Sequence, residues 1–196
     1  SFQWHSDHIS YVKLEDEETF NHNTGMAIPL PFDWEVLEFI RDKIKLIRQS
    51  IDAHFLVENN VYFIDIPDQD MNEQHFLNTL CNQSGCGLIL DIHNIYANGR
   101  NHHFDCKEFI LQLDLAKVTE IHIAGGNEMA GMYVDSHAGP CPDEVWELLE
   151  FAIPHCKNLQ GITFEFHDSY FHLLQYEGIH SQLAKAKGYW LKTLVH

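Results

Sequence analysis

"CGLILDIHN", residues 86–94, is the stretch on which the reading of the chain turns. Its centre, "GLIL", is apolar without alternation, as a strand covered on both faces must be. It then stops on Asp91, with Asn94 three residues further on. Upstream, "MNEQHFLNTLCNQSG" (71–85) reads as a helix stopped by Gly85. Downstream, "DCKEFILQLD" (105–114) reads as another helix. A buried strand between two helices is the unit of a parallel α/β sheet.

The alternation continues outward. "FQWHSDHISYV" (2–12) opens as a strand, and the polar run 14–32, with Gly25, Pro29 and Pro31, reads as a long loop. Residues 33–51 carry Val36, Leu37, Ile40, Ile44 and Ile47 at helical spacing, with Asp33 placed as N-cap. "HFLVEN" (54–59) and "VTEIHIAGG" (118–126) are strands. "MYVDSHAGPCPDEVW" (132–146) is a short apolar strand ending on Asp135-x-His137, a Gly-Pro turn, and the start of a helix over 142–156. Asp143 and Glu144 sit in its first turn, where the helix dipole favours them. "GITFEFHD" (161–168) is the last clear strand, and 171–194 reads as a terminal helix. No internal repeat stands out. No G-x-G-x-x-G follows a strand and "GRNHHFD" is no P-loop, which argues against nucleotide binding by those devices.

At 196 residues and 45% hydrophobic, the chain can bury one sizeable core, and a single domain over 1–196 is expected. Acidic residues outnumber basic ones 29 to 12, a formal net charge of −17, so nucleic acid and anionic membranes are disfavoured partners. No apolar run approaches the roughly 20 residues of a membrane span, and no signal peptide is visible behind Ser1. The five cysteines contain no C-x-x-C pair, which points to free thiols in a reducing, cytoplasmic setting. Fifteen histidines make a metal site worth testing.

Each apolar strand runs into a metal-competent residue near its C-terminal end: His8, Glu58, Asp91 with Asn94, His122 and Glu165. In a TIM barrel those ends converge on one face, where active sites are built. Asp135 and His137, on the loop after the fourth strand, can reach the same face. Mixed imidazole and carboxylate donors without thiolate suit iron, manganese or zinc, in numbers sufficient for more than one ion. Carboxylates such as Glu58 can bridge two cations, and closely spaced metals can activate dioxygen or water.

These motifs resemble a known family. "SDHISY" resembles S-E-H-L-[AS]-[WY], and "IPLPFDWEVL" resembles L-P-L-P-Y-T-x-E-x-L. "LVEN" resembles L-L-E-N, and "CGLILDIHNIYANGRNHHFD" resembles C-G-L-L-L-D-V-N-N-x-Y-V-x-x-x-N-H-x-F-D. "VTEIHIAGG", "DSHAGPCPDEVWEL" and "ITFEF" resemble V-x-E-I-H-L-A-G-H, D-x-H-x-x-P-V-x-x-x-V-W-x-L and T-L-I-E-W. The family is that of the multinuclear non-heme iron oxygenases typified by methanobactin- and thiaglutamate-biosynthesis enzymes. The match runs in order along nearly the whole chain.

The resemblance implies an α/β, TIM-barrel-like (xylose-isomerase-like) fold, of which residues 1–196 would be the C-terminal part, without the N-terminal strands. It implies two or three iron ions held by His8, Glu58, Asp91, Asn94, His122, Asp135, His137 and Glu165, with Glu58 as a bridge. It further implies dioxygen as co-substrate, oxidation of a cysteine in a ribosomally made peptide, and a partner protein that presents the peptide. Two departures stand out: His93 where the motif has Asn, and Gly126 where it has the final His of A-G-H. His93 is the candidate general base. The same residues also fit a zinc- or manganese-dependent barrel hydrolase or isomerase, or a metal-binding or interaction protein without catalysis.

Overall fold

The computed structural model of the protein describes residues 2–16 and 19–193. Strand β1 (Trp4–His8) leads into a hairpin of β2 (Ser10–Asp16) and β3 (Thr19–Pro29). Then follow α1 (Trp34–Ser50), β4 (His54–Glu58), α2 (Glu73–Ser84), β5 (Gly87–Asp91), α3 (Ile92–His102) and α4 (Cys106–Gln112). Strand β6 (Val118–Ala124), a small hairpin of β7 (Asn127–Met129) and β8 (Met132–Val134), α5 (Asp143–Ala152), β9 (Gly161–Glu165) and α6 (Phe171–Thr193) complete the chain.

Strands β1, β4, β5, β6 and β9 pair in that order into one parallel sheet. The central strand β5 is buried at every position, as its unbroken apolar run predicts. Helices α1 to α5 shield the outer face. Leu37 and Ile44 of α1, Phe76 and Leu80 of α2, Ile110 of α4 and Leu149 of α5 are fully buried there. The sheet curls strongly: Trp4 on one edge strand donates its indole N–H to Glu120 on β6, 2.6 Å away, across the concave side. This is the open wall of a barrel, with β1 and β9 as its edges.

Helix ends follow local chemistry. Asn72 accepts from the His75 amide at the start of α2, and Gly85 closes that helix at φ 72°. The Arg48 guanidinium fills the space beside Gly85 and donates to the Ser84 carbonyl, which ties α1 to α2. Asp33 stands at the N-cap position of α1, but its carboxylate accepts from the Asp70 amide instead.

Four expectations change. The run 2–12 is not one strand: it breaks at Ile9 into β1 and β2. The polar run 14–32 is largely β-hairpin, held by backbone pairing such as Tyr11 with Ile28 and Lys13 with Asn23 rather than marked by apolar alternation. The strand ends on Asp91 as expected, but residues 92–102, to which no element was assigned, form α3 directly after it. Its sequence, rich in Asn with Gly99, has weak helix propensity, so burial of Ile92, Ile95 and Ala97 stabilises it. Finally, α6 is interrupted at Gln175, which takes φ 52°.

Candidate metal centre

The strand register assembles the site. His8 pairs with Glu58 across β1 and β4, and Asp91 pairs with His122 across β5 and β6. Glu58 pairs with Ile89, two residues before Asp91, and His122 pairs with Thr163, two before Glu165. Residues two apart share a face of a strand, so all five side chains emerge on the concave side. One ligand atom each from Glu58, Asp91, His122 and Glu165 lie within 4.8 Å of one another.

The contacts form a row. His8 Nδ1 lies 3.5 Å from Glu58 Oε2, while Glu58 Oε1 faces His122 Nδ1 at 3.3 Å. Glu165 Oε2 lies 3.4 Å from His122 Nδ1 and 3.7 Å from His137 Nε2. Asp135 Oδ1 then lies 3.1 Å from His137 Nε2 and 2.9 Å from His93 Nδ1. Every residue singled out in the sequence therefore lies in one cluster, with Asn94 beside it as the buried first-turn neighbour of Asp91. His8 is the most open of these ion-pairing side chains at 57% exposure, so the cluster faces solvent on the β1 side.

The Asp135-x-His137 claw is set by its backbone. His137 takes φ 52°, and its carbonyl accepts from the His167 amide. Gly125 lies under the loop, where a Cβ would come 2.5 Å from the Pro140 carbonyl oxygen and 2.7 Å from that of Gly139. Only glycine permits that approach.

Four buried atoms here have no hydrogen-bond partner: His93 Nδ1, Asn94 Oδ1, His122 Nδ1 and Asp135 Oδ1. His93 and Asp135 are close, but their approach lacks hydrogen-bond angles. Native proteins rarely leave such atoms unsatisfied, and a cluster of them facing one space has the chemistry of a cation site. The titration behaviour agrees. Burial, then the Glu58 and Asp135 charges, push Asp91 well above the usual carboxylate range. Burial lowers the basicity of His122, but Glu120, Glu165 and Glu58 outweigh it and hold the imidazolium up to about 12. That proton supplies positive charge among carboxylates, as a metal would.

Two residues the sequence reading passed over support the cluster. Glu120 lies 3.4 Å from His122 Nε2 and is itself held by the Trp4 indole and the Thr163 hydroxyl. The His122 contact, ahead of burial and the Thr163 and Trp4 hydrogen bonds, lowers its carboxyl to about 2. The signal was present in the sequence: Glu120 is two residues before His122, on the same strand face. The other is Tyr133, whose hydroxyl accepts from the Gly126 amide at 2.9 Å and lies 3.2 Å from His93 Nε2. A Cβ on Gly126 would come 2.8 Å from the Tyr133 ring. The two departures from the motif, His93 and Gly126, thus meet at one phenol. An imidazole comes from α3, and the end of β6 is stripped to glycine.

A family model described as RiPP precursor modification enzyme MbnB/TglH/ChrH matches residues 1–189. The chain belongs to this family. Two similar proteins bear the name UPF0276 protein. One from Rhizorhabdus wittichii is 32% identical over 76% of this chain and 51% of its own length. One from Neisseria gonorrhoeae is 34% identical over 75% of this chain and 51% of its own. The chain thus spans about half the length of the curated relatives it matches. Among solved structures it resembles that of the IOLI protein with a bound zinc atom, at TM-score 0.56 and 17% identity, covering 85% of this chain and 62% of that one. The fold of this family member is accordingly α/β and TIM-barrel-like, of the xylose-isomerase-like kind. Among the described residues no helix is long and apolar enough to cross a membrane.

Proposed function

We propose that this chain carries the metal centre of a multinuclear non-heme iron oxygenase that oxidises a cysteine of a ribosomally made peptide, acting with a partner protein that presents the peptide. The observation that carries the reading is the convergence of Glu58, Asp91, His122 and Glu165 within 4.8 Å, on a chain whose family modifies peptide precursors. The row of contacts offers adjoining sets of donors: His8 with Glu58, then Glu58 with Asp91, His122 and Glu165, then Glu165 with His137 and Asp135. Glu58 turns one oxygen to His8 and the other to His122, the disposition of a bridging carboxylate. Asn94 adds an amide oxygen without a hydrogen-bond partner.

Bound iron would supply redox chemistry with dioxygen and a seat for the substrate thiolate. The chain's own residues do the remaining work. Glu120 fixes the His122 ring through Nε2 and leaves Nδ1 directed at the carboxylates. His93, fully buried and set between the Tyr133 hydroxyl and Asp135, is the residue placed to hold or move a proton.

Metal analysis after anaerobic purification, with oxygen uptake on adding a cysteine-ended peptide, tests the proposal. Two or three irons per chain with oxygen consumption is the expected result. Stoichiometric zinc without oxygen consumption would overturn it in favour of a hydrolytic or isomerising barrel, the reading to which the zinc-bound neighbour gives weight. Less than one metal of any kind would leave a binding protein without catalysis.

A further inference from the structure

Beside the metal centre lies a cleft of about 340 Å³ lined by aromatic and aliphatic side chains and by the amides of Gln69, Asn72, Gln74 and Gln112, with a charged lining that is entirely acidic. Phe32, Tyr62 and Phe104 form its sides, and Glu73, the first residue of α2, forms its floor. No lysine, arginine or histidine lines it. Two of the other acidic groups are already engaged: Asp65 lies 3.0 Å from His102 Nδ1, and Asp105 caps α4 by accepting from the Lys107 and Glu108 amides. Glu73 is different. It is only 6% exposed, its Oε2 has no hydrogen-bond partner, and burial alone acts on its carboxyl. A buried carboxyl without a partner is costly, and Glu73 is among the residues that line open space large enough for one long side chain.

The walls are held in place before anything binds. Phe32 donates its amide to the Gln69 side chain, and its carbonyl accepts from the Met71 amide. Tyr62 donates its amide to Asn98 Oδ1, and its carbonyl lies 2.9 Å from His102 Nε2. Such preorganisation lowers the entropic cost of taking a ligand. Glu73, Tyr62 and Leu30 also border a narrow gap whose far side is Glu58 and Asn59, so the cleft adjoins the metal centre.

We infer that this cleft receives a lysine or arginine side chain of the peptide substrate, with Glu73 as counter-ion and the aromatic walls covering the aliphatic stem. A cation at the floor gives the Glu73 carboxyl the partner it lacks and favours its ionised form, while the stem displaces water from Phe32, Tyr62 and Phe104. The identity of the ligand as part of a peptide rests on the proposed function; the recognition of a cationic side chain does not.

Calorimetric titration of the purified protein with N-acetyl-lysine methylamide and N-acetyl-norleucine methylamide tests it without iron, oxygen or turnover. The two probes share a stem and differ in charge. The lysine probe is expected to bind at least tenfold more tightly, and Glu73→Gln to remove that preference. Ile64→Trp, which narrows the cleft from an exposed position, is expected to weaken the lysine probe with Glu73 intact. Equal affinity for the two probes, or a lysine preference that survives Glu73→Gln, would overturn the inference. Lysine binding in a protein that consumes no oxygen would refute the oxygenase and leave the cleft standing. Where oxygen uptake is present, replacing the substrate's basic residue by norleucine should raise KM; an unchanged KM assigns the cleft no part in substrate binding.

Discussion

His122 is gripped from both sides of its ring, with Glu120 on Nε2 and Glu58 and Glu165 on Nδ1. Removing the Glu120 charge should therefore loosen the ring without touching the other donors. Glu120→Gln is expected to weaken metal binding about 10- to 100-fold while circular dichroism stays unchanged; unaltered affinity in a metal titration would show that Glu120 has no positioning role. Glu73 gives a second prediction, in stability. Burial raises its carboxyl from 4.5 to about 8. Below its ordinary value both folded and unfolded chains hold the proton, and no ionisation penalty arises. As pH rises towards about 8, only the unfolded chain releases it, so stability falls through that window. Glu73→Gln removes the penalty and should be more stable than the parent by about 3 kcal/mol at pH 7, with the gain vanishing near pH 4.5. Urea denaturation at several pH values reads this directly. A gain that does not vary with pH would refute the buried ionisation.

The strands and the candidate residues at their ends were legible in the sequence because both depend on short-range signals. "GLIL" is apolar on both faces, and His8, Glu58, Asp91 and Glu165 are the final residues of their strands. The element that escaped notice, α3, has poor intrinsic propensity and exists through burial against the rest of the fold, which no local window displays. The β2–β3 hairpin escaped because its pairing lies in backbone register rather than in apolar alternation. Tyr133 was missed for a third reason: it acts on His93 from a different element, a relation that only the assembled fold creates, whereas Glu120 was legible from its i, i+2 spacing to His122. At the element scale the claw loop depends on Gly125. Gly125→Ala would drive a Cβ against the Ala138, Gly139 and Pro140 carbonyls and displace Asp135 and His137 together. The expected outcome is a loss of about 1–3 kcal/mol in stability with at least one metal fewer per chain. Full metal content in a folded variant would show that the loop tolerates the shift.

The cluster draws on all five strands of the parallel sheet and on the loop that follows β8, so its charge balance concerns the whole molecule. Without a cation, Glu58, Glu120, Asp135 and Glu165 share a small space with Asp91, whose carboxyl burial and its neighbours push up, and the His122 imidazolium only partly offsets them. Among the described residues the sheet is open at β1 and β9, without the closure that would otherwise hold its edge strands in place. A cation bound between Glu58, Asp91, His122 and Glu165 would link β4, β5, β6 and β9 through one point. Its binding free energy is then stability of the sheet rather than of one loop. At metal a thousandfold above its dissociation constant the gain is about 4 kcal/mol. For a domain of this size that raises Tm by roughly 8–16 °C. Thermal unfolding of chelator-treated and metal-reloaded protein should show one cooperative transition moving as a unit. A metal that binds stoichiometrically yet leaves Tm unchanged must sit elsewhere than between these strands, because no ion could bridge four strands of the folded sheet and remain equally bound to the unfolded chain.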